Sequence, residues 1–99
     1  MITKEQEITL RKVLAHYGVD QQEMKCIEEC AELIKAITDY KLQSPIASPK
    51  QMSDLVGSMI EELADVIIMT KQLAMAVGQA EVESAIDYKV NRVAKRIGA

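Results

Sequence analysis

Two short acidic knots carry the chemistry this sequence could perform. One is Glu28-Glu29-Cys30-Ala31-Glu32 and the other is Glu61-Glu62-Leu63-Ala64-Asp65. The second sits in the most apolar run of the chain, Leu55 to Ala80, whose only charged residues are Glu61, Glu62, Asp65 and Lys71. Isolated ionised carboxylates are costly to bury and need a cationic partner or a metal. One lysine cannot neutralise three acids. Side chains three residues apart share a helix face, so Glu29 with Glu32, and Glu62 with Asp65, form two carboxylate pairs. Two such pairs on facing helices make a four-carboxylate site. Hard oxygen ligands suit Mg2+, or Mn2+, far better than zinc, and helical bundles build metal sites from side chains on facing helices. Taken alone, Glu28, Glu29 and Glu32 would read as a solvated helix face. The second knot, set in apolar surroundings, turns the balance towards metal.

The elements that must position these acids are helices. Thr3 is an N-cap with Gln6 as its capping-box partner, and Ile8, Leu10, Val13, Leu14 and Tyr17 follow at helical spacing. The first helix is expected over about residues 4–17, closed by Gly18. Asp20 with Glu23 repeats the capping signature and opens a second helix that runs to about residue 41. On it Met24, Ile27, Ala31, Ile34, Ile37 and Thr38 share one face, and Glu28, Glu29 and Glu32 share another. Residues 42–48 contain Gln43-Ser44-Pro45 and read as a loop. Ser48-Pro49-Lys50-Gln51 then supplies an N-cap, a proline at the first helical position and a capping-box glutamine, with Ser53-Asp54 as a second possible start. The third helix runs to about Val77 and is apolar around nearly its whole circumference, with Glu62 projecting between Val66, Met69 and Leu73. A monomer of 99 residues lacks the chain to cover such a helix, so a homo-oligomer is expected. After Gly78 a fourth helix, about residues 79–96, carries the stripe Val82, Ile86, Val90, Val93 and Ile97.

Composition limits the alternatives. Ninety-nine residues make one domain, here 1–99, with one modest core. The chain is 48% hydrophobic but holds only three aromatic residues, all Tyr, and six Met. Four Gly and two Pro are too few for a turn-rich β protein, so the fold class expected is all-α, a four-helix bundle. A net charge of −3 without a basic stripe disfavours nucleic acid as a partner. No uncharged apolar run is long enough for a membrane span, and Met1-Ile2-Thr3-Lys4-Glu5 lacks the apolar region of a signal peptide. A cytoplasmic location is the expectation. Cys26 and Cys30 stand one helical turn apart, poorly placed for a disulfide, and are read as small buried side chains.

Glu28-Glu29-Cys30-Ala31-Glu32 followed by Glu62-Leu63-Ala64-Asp65 resembles the EExxE…ExxD signature of the MazG-like all-α nucleoside triphosphate pyrophosphohydrolases. The flanking strings IEECAELIKAI and EELADVIIMTKQLA are similar to that family's two metal helices, and the resemblance extends over about residues 16–96. It implies a MazG-like four-helix bundle, Mg2+ ligands at Glu29, Glu32, Glu62 and Asp65, and a homodimer or homotetramer. It also implies hydrolysis of a (d)NTP to the monophosphate and pyrophosphate. The alternatives are a phosphoribosyl-ATP pyrophosphatase, which uses the same acidic architecture, and a non-catalytic helical interaction module whose acids are surface charge.

Nucleotidyl transfer requires neutralised phosphates and an activated in-line water. Glu28 or Glu61, each beside a ligand position, could orient or deprotonate that water. Lys89, Arg92 and Arg96, with Asn91 among them, could reach the outer phosphates, Lys89 first; the bland alternative is that cations complement a helix C-terminus. His16 or Tyr17, at the end of the first helix, could stack on a nucleobase, and Gln22 and Lys25 are weaker candidates for substrate contact. No G-x-x-x-x-G-K-[ST] motif is present. A single histidine leaves Cys–His and Ser–His–Asp catalysis without support.

Overall fold

The helix ends follow local chemistry closely. Thr3 accepts from the Gln6 backbone N–H at 3.1 Å and returns its own N–H to Gln6 Oε1 at 2.9 Å. Ser48 and Gln51 make the same reciprocal pair at 3.1 and 2.8 Å, with Pro49 in the first turn. In the computed structural model, which covers residues 1–99, these boxes open α1 (Lys4–Tyr17) and α3 (Pro49–Val77). The other two helices, α2 (Val19–Gln43) and α4 (Gln79–Ile97), start directly after a glycine. The Asp20–Glu23 box does not form. Gly18 takes φ 88° and ψ 156°, closes α1, and also supplies the carbonyl that accepts from Gln22 N at 3.1 Å. The helix therefore begins one residue before Asp20 could cap it. The stretch 42–48 is shorter as a loop than expected: α2 runs on to Gln43, and Ser44–Ile46 form a single 3₁₀ turn. No strand is present, so the chain is all-α.

The molecule is organised around the α2–α3 hairpin. α1 lies against both arms, while α4 meets α3 over a short stretch and is tied to α1 where Arg11 donates to Gln79 Oε1 at 3.1 Å. Every buried residue belongs to α2 or α3: Gln22, Cys26, Glu29 and Ala36 on one, Met69 and Gln72 on the other. Lys71, the lone lysine of the apolar run, is spent elsewhere; its Nζ meets Glu7 Oε1 of α1 at 2.8 Å. Cys26 and Cys30 are free thiols. Burial pushes the Cys26 thiol up, and the neighbouring Cys30 adds to the shift. No helix is long and apolar enough to cross a membrane.

The apolar face of α2 is not the face turned inward. Met24, Ile27, Ile34 and Ile37 are exposed, and the stripe Gln22-Cys26-Glu29-Ala36 faces α3 instead. Likewise α3 leaves Val56, Ile60, Leu63 and Ile68 open to solvent, and α4 buries nothing. The radius of gyration is 16.6 Å, whereas a compact domain of about 100 residues has about 13 Å. Amphipathicity fixes which face avoids water, not whether the same chain supplies the cover. Here one chain covers the polar inner stripe and leaves the apolar outer faces open.

Candidate metal centre

Helical spacing puts Glu29 and Glu32 on the inner side of α2, and Glu62 and Asp65 on the side of α3 that carries Met69 and Gln72. The hairpin brings them together. One carboxylate oxygen from each of Glu29, Glu32 and Glu62 lies within 4.8 Å of the others. Asp65 is exposed and stands outside that trio, but close to Glu29: desolvation of its carboxyl, and after it the Glu29 charge, raises the Asp65 pKa. Burial likewise raises Glu62, followed by the charge of Glu32 and a hydrogen bond to it. The two cross-helix pairs are thus Glu32 with Glu62, and Glu29 with Asp65.

The centre is under-neutralised. Its only ion-pair partner is Lys25, whose Nζ lies 3.1 Å from Glu29 Oε1 and 3.6 Å from Glu28 Oε2. Glu29 is only 6% exposed, yet its Oε2 has no hydrogen-bond partner, and neither does the buried Oε2 of Glu62. Buried polar atoms are nearly always satisfied, and an orphan calls for an explanation. Two orphaned carboxylate oxygens on facing helices, with a third carboxylate at the same spot, form an all-oxygen donor set. Glu29, Glu32 and Glu62 can hold a divalent cation, and hard cations suit the set best. The donor chemistry fits a hard divalent cation, the class to which the Mg2+ or Mn2+ expected from sequence belongs.

The other candidates are distributed around this centre unequally. Glu28 is exposed and held by Lys25, while Glu61 is exposed and close enough to contribute to the raised Asp65 pKa. Tyr17, Lys25, Glu28, Met69 and Gln72 border an open groove of about 820 Å³ between α1, α2 and α3. His16 is exposed and stands edge-to-face with Tyr17, their ring centres 4.7 Å apart. Gln22 also lines this groove but is almost wholly buried there, its amide donating to Gln72 Oε1 at 2.8 Å.

The cations of α4 are not brought to the acids within one chain. Lys89, Asn91 and Arg92 are exposed and make no ion pair or hydrogen bond with the acidic centre. Arg92 instead lies 5.8 Å over the Tyr88 ring. Val82 and Ile86 of α4 share a cavity with Ile67, Lys71 and Ala74 of α3, roughly opposite Glu62 and Met69 on the helix circumference.

Sequence reasoning missed the Gln22–Gln72 bond. The signal was available, since Gln22 lies seven residues before Glu29, on the same helix face. Comparison with protein-family models, curated proteins and solved structures returns no match for this chain.

Proposed function

We propose that the chain is a Mg2+-dependent nucleotide pyrophosphohydrolase of the MazG-like all-α type, cleaving a (d)NTP to the monophosphate and pyrophosphate. The observation that carries this reading is the pair of orphaned oxygens, Glu29 Oε2 and Glu62 Oε2, in one carboxylate cluster between α2 and α3. A centre of that composition binds the divalent cations that escort nucleotide phosphates. The order of the two acidic motifs along the chain favours the same class.

A divalent cation at this centre would neutralise phosphate charge and lower the pKa of a bound water. Glu29, Glu32, Glu62 and Asp65 would hold it. Glu61 has no ion-pair partner, so of the two neighbouring acids it is the more available to take a proton from the attacking water; Glu28 already shares Lys25. The groove beside Tyr17, Lys25 and Glu28 has the volume for a nucleoside; Glu28 is the one acid that lines it, so the phosphates would extend past Glu28 towards the other carboxylates. Lys89, Asn91 and Arg92 belong to the phosphate-binding set only if a second copy presents them. A homodimer or homotetramer, built on the exposed faces of α2, α3 and α4, meets that requirement.

The decisive test is a panel of NTPs and dNTPs incubated with the protein and Mg2+, following pyrophosphate and monophosphate together. Equimolar release of the two, lost in Glu62→Gln, is the expected result. Release of orthophosphate would refute cleavage between the α and β phosphates. No turnover across the panel would favour the interaction module.

A further inference from the structure

Gln72 is the most buried side chain in the molecule, 1% exposed, and its amide is fully engaged. Its Oε1 accepts from Gln22 Nε2 at 2.8 Å, and its Nε2 faces Ile68 O at 3.3 Å and Met69 Sδ at 3.7 Å. A buried amide pair is not the cheapest way to join two helices. Replacing both partners with apolar groups of similar shape is often neutral or stabilising. What such a pair supplies is direction, as a single buried asparagine does when it fixes the register of a coiled coil.

The register it fixes is that of the acids. Along α2, Gln22 is followed by Glu29 seven residues on and by Glu32 three further. Along α3, Gln72 is preceded by Asp65 by seven residues and by Glu62 by three more. The steps match in reverse, so Gln22–Gln72, Glu29–Asp65 and Glu32–Glu62 are three rungs of one antiparallel ladder. The connection Ser44–Ser48 closes the hairpin at one end, and the amide pair closes the other. The acids lie between them. Carboxylate repulsion there works to splay the arms, and the remaining buried neighbours Cys26, Ala36 and Met69 are small or flexible. None of those three contacts is directional.

We propose that Gln22 and Gln72 are the register lock of the metal centre: positioning residues whose mutual hydrogen bond sets where the carboxylates of α2 meet those of α3. This inference rests on the acids being a cation site. The lock holds the open end of the hairpin while the site is empty, so that Glu29, Glu32 and Glu62 each keep a carboxylate oxygen in one cluster. Groups that hydrogen-bond a ligand directly typically change metal affinity by about 10–100-fold when removed; Gln22 and Gln72 act one step further out, through helix register, so the low end of that range is expected.

The test uses the full chain with Cys26→Ala and Cys30→Ala, spin-labelled at Gln21→Cys and Ala76→Cys near the open end. The Gln22→Leu/Gln72→Leu protein is compared with its parent in three measurements. These are the label-to-label distance distribution without metal, Mn2+ affinity from the paramagnetic signal of the free ion, and the metal-free melting temperature. The lock requires a broadened or shifted distribution and Mn2+ affinity weaker by about tenfold or more, with the melting temperature not lowered. An unchanged distribution, or Mn2+ affinity within about twofold of the parent, overturns it. A parent that takes up no Mn2+ overturns the cation site itself, a different result from a parent that binds and a variant that binds equally. If the leucine pair fails to fold, Gln22→Met removes the inter-helix donor alone; it leaves Gln72 Oε1 buried without a partner, so its melting temperature is expected to fall, and the distance distribution and the Mn2+ affinity decide by the same thresholds.

Discussion

Lys25 Nζ lies 3.1 Å from Glu29 Oε1, and the other oxygen of the same carboxylate is buried without a partner. Lys25 thus satisfies half of a group that the fold has taken out of water, and the hydrogen bond to Glu29 raises the lysine's own pKa. A cation on Oε2 would supply the rest, making lysine and metal partly redundant. Lys25→Met is expected to lower the metal-free melting temperature more than the Mg2+-saturated one. Thermal melts of both proteins with and without Mg2+ check this; an equal loss in both conditions would separate Lys25 from the metal.

Metal should stabilise the native state by mass action. At a free Mg2+ concentration of about 100 times Kd the gain is about 2.7 kcal/mol, and each kcal/mol moves the melting temperature of a domain this size by roughly 4–8 °C. Glu62→Gln has two effects of opposite sign. It removes a charge that repels Glu32 and Asp65, so the metal-free protein gains stability, and it removes a ligand, so the Mg2+ increment collapses. Calorimetry over a Mg2+ titration separates the two. A wild-type protein indifferent to both Mg2+ and Mn2+ would sink the site.

The same repulsion sets a pH dependence. Burial and the neighbouring acids raise Glu62 and Asp65, so the folded protein binds more protons than the unfolded chain in the window above the ordinary carboxylate range near 4. Their contribution is fully present below that range and is lost as pH rises through the raised values. Glu7 runs the other way. Its hydrogen bond to Lys71 lowers its pKa, so its contribution is present above the ordinary value and lost as pH falls through the lowered one. The metal-free protein is therefore expected to be most stable at mildly acidic pH, and the Mg2+ increment should shrink there because protons compete for the same oxygens. Melts from about pH 4.5 to 8, with and without Mg2+, measure both trends. A Mg2+ increment that grows on acidification would contradict the assignment.

Gly18 offers a test of the frame rather than of the site. Its φ of 88° with ψ of 156° lies in a region open almost only to glycine, where other residues pay about 1–3 kcal/mol. A Cβ there would meet no atom within 4 Å, so the cost is purely backbone strain. Gly18→Ala should lower stability to urea by about that amount while leaving any metal affinity nearly unchanged, because both helices that carry the acids lie beyond the turn.

The acids were legible in the sequence because two signals coincided, their spacing of three residues and the apolar run around Glu62. The helix starts at Thr3 and Ser48 were legible because each cap is a local exchange of two hydrogen bonds. The start of α2 was not, because Gly18 lets the chain turn and resume helix before Asp20 can act. In sequence Gln22 reads as a weak candidate for substrate contact, because an isolated glutamine usually faces water; its partner stands fifty positions away in the chain. The side on which α4 meets α3 is likewise a tertiary fact, and no property of Lys89 or Arg92 alone reveals it.

That placement of α4 bears on assembly. Ile27 and Ile34 stand about 65% exposed on the outer face of α2, and Ile86, Val90, Val93 and Ile97 form an open stripe on α4. Contiguous apolar faces of this kind mark association sites in soluble proteins. If copies of the chain cover one another, light scattering should give at least twice the 11.0 kDa of one chain. Ile27→Glu with Ile34→Glu should drive the mass down towards the monomer. The acids on the opposite face of α2 are untouched by these changes. Mn2+ binding should therefore survive dissociation, while hydrolysis should fall if the partner's α4 presents Lys89 and Arg92 to the phosphates. A monomeric wild type would leave those cations on the far side of α3 and remove them from the site.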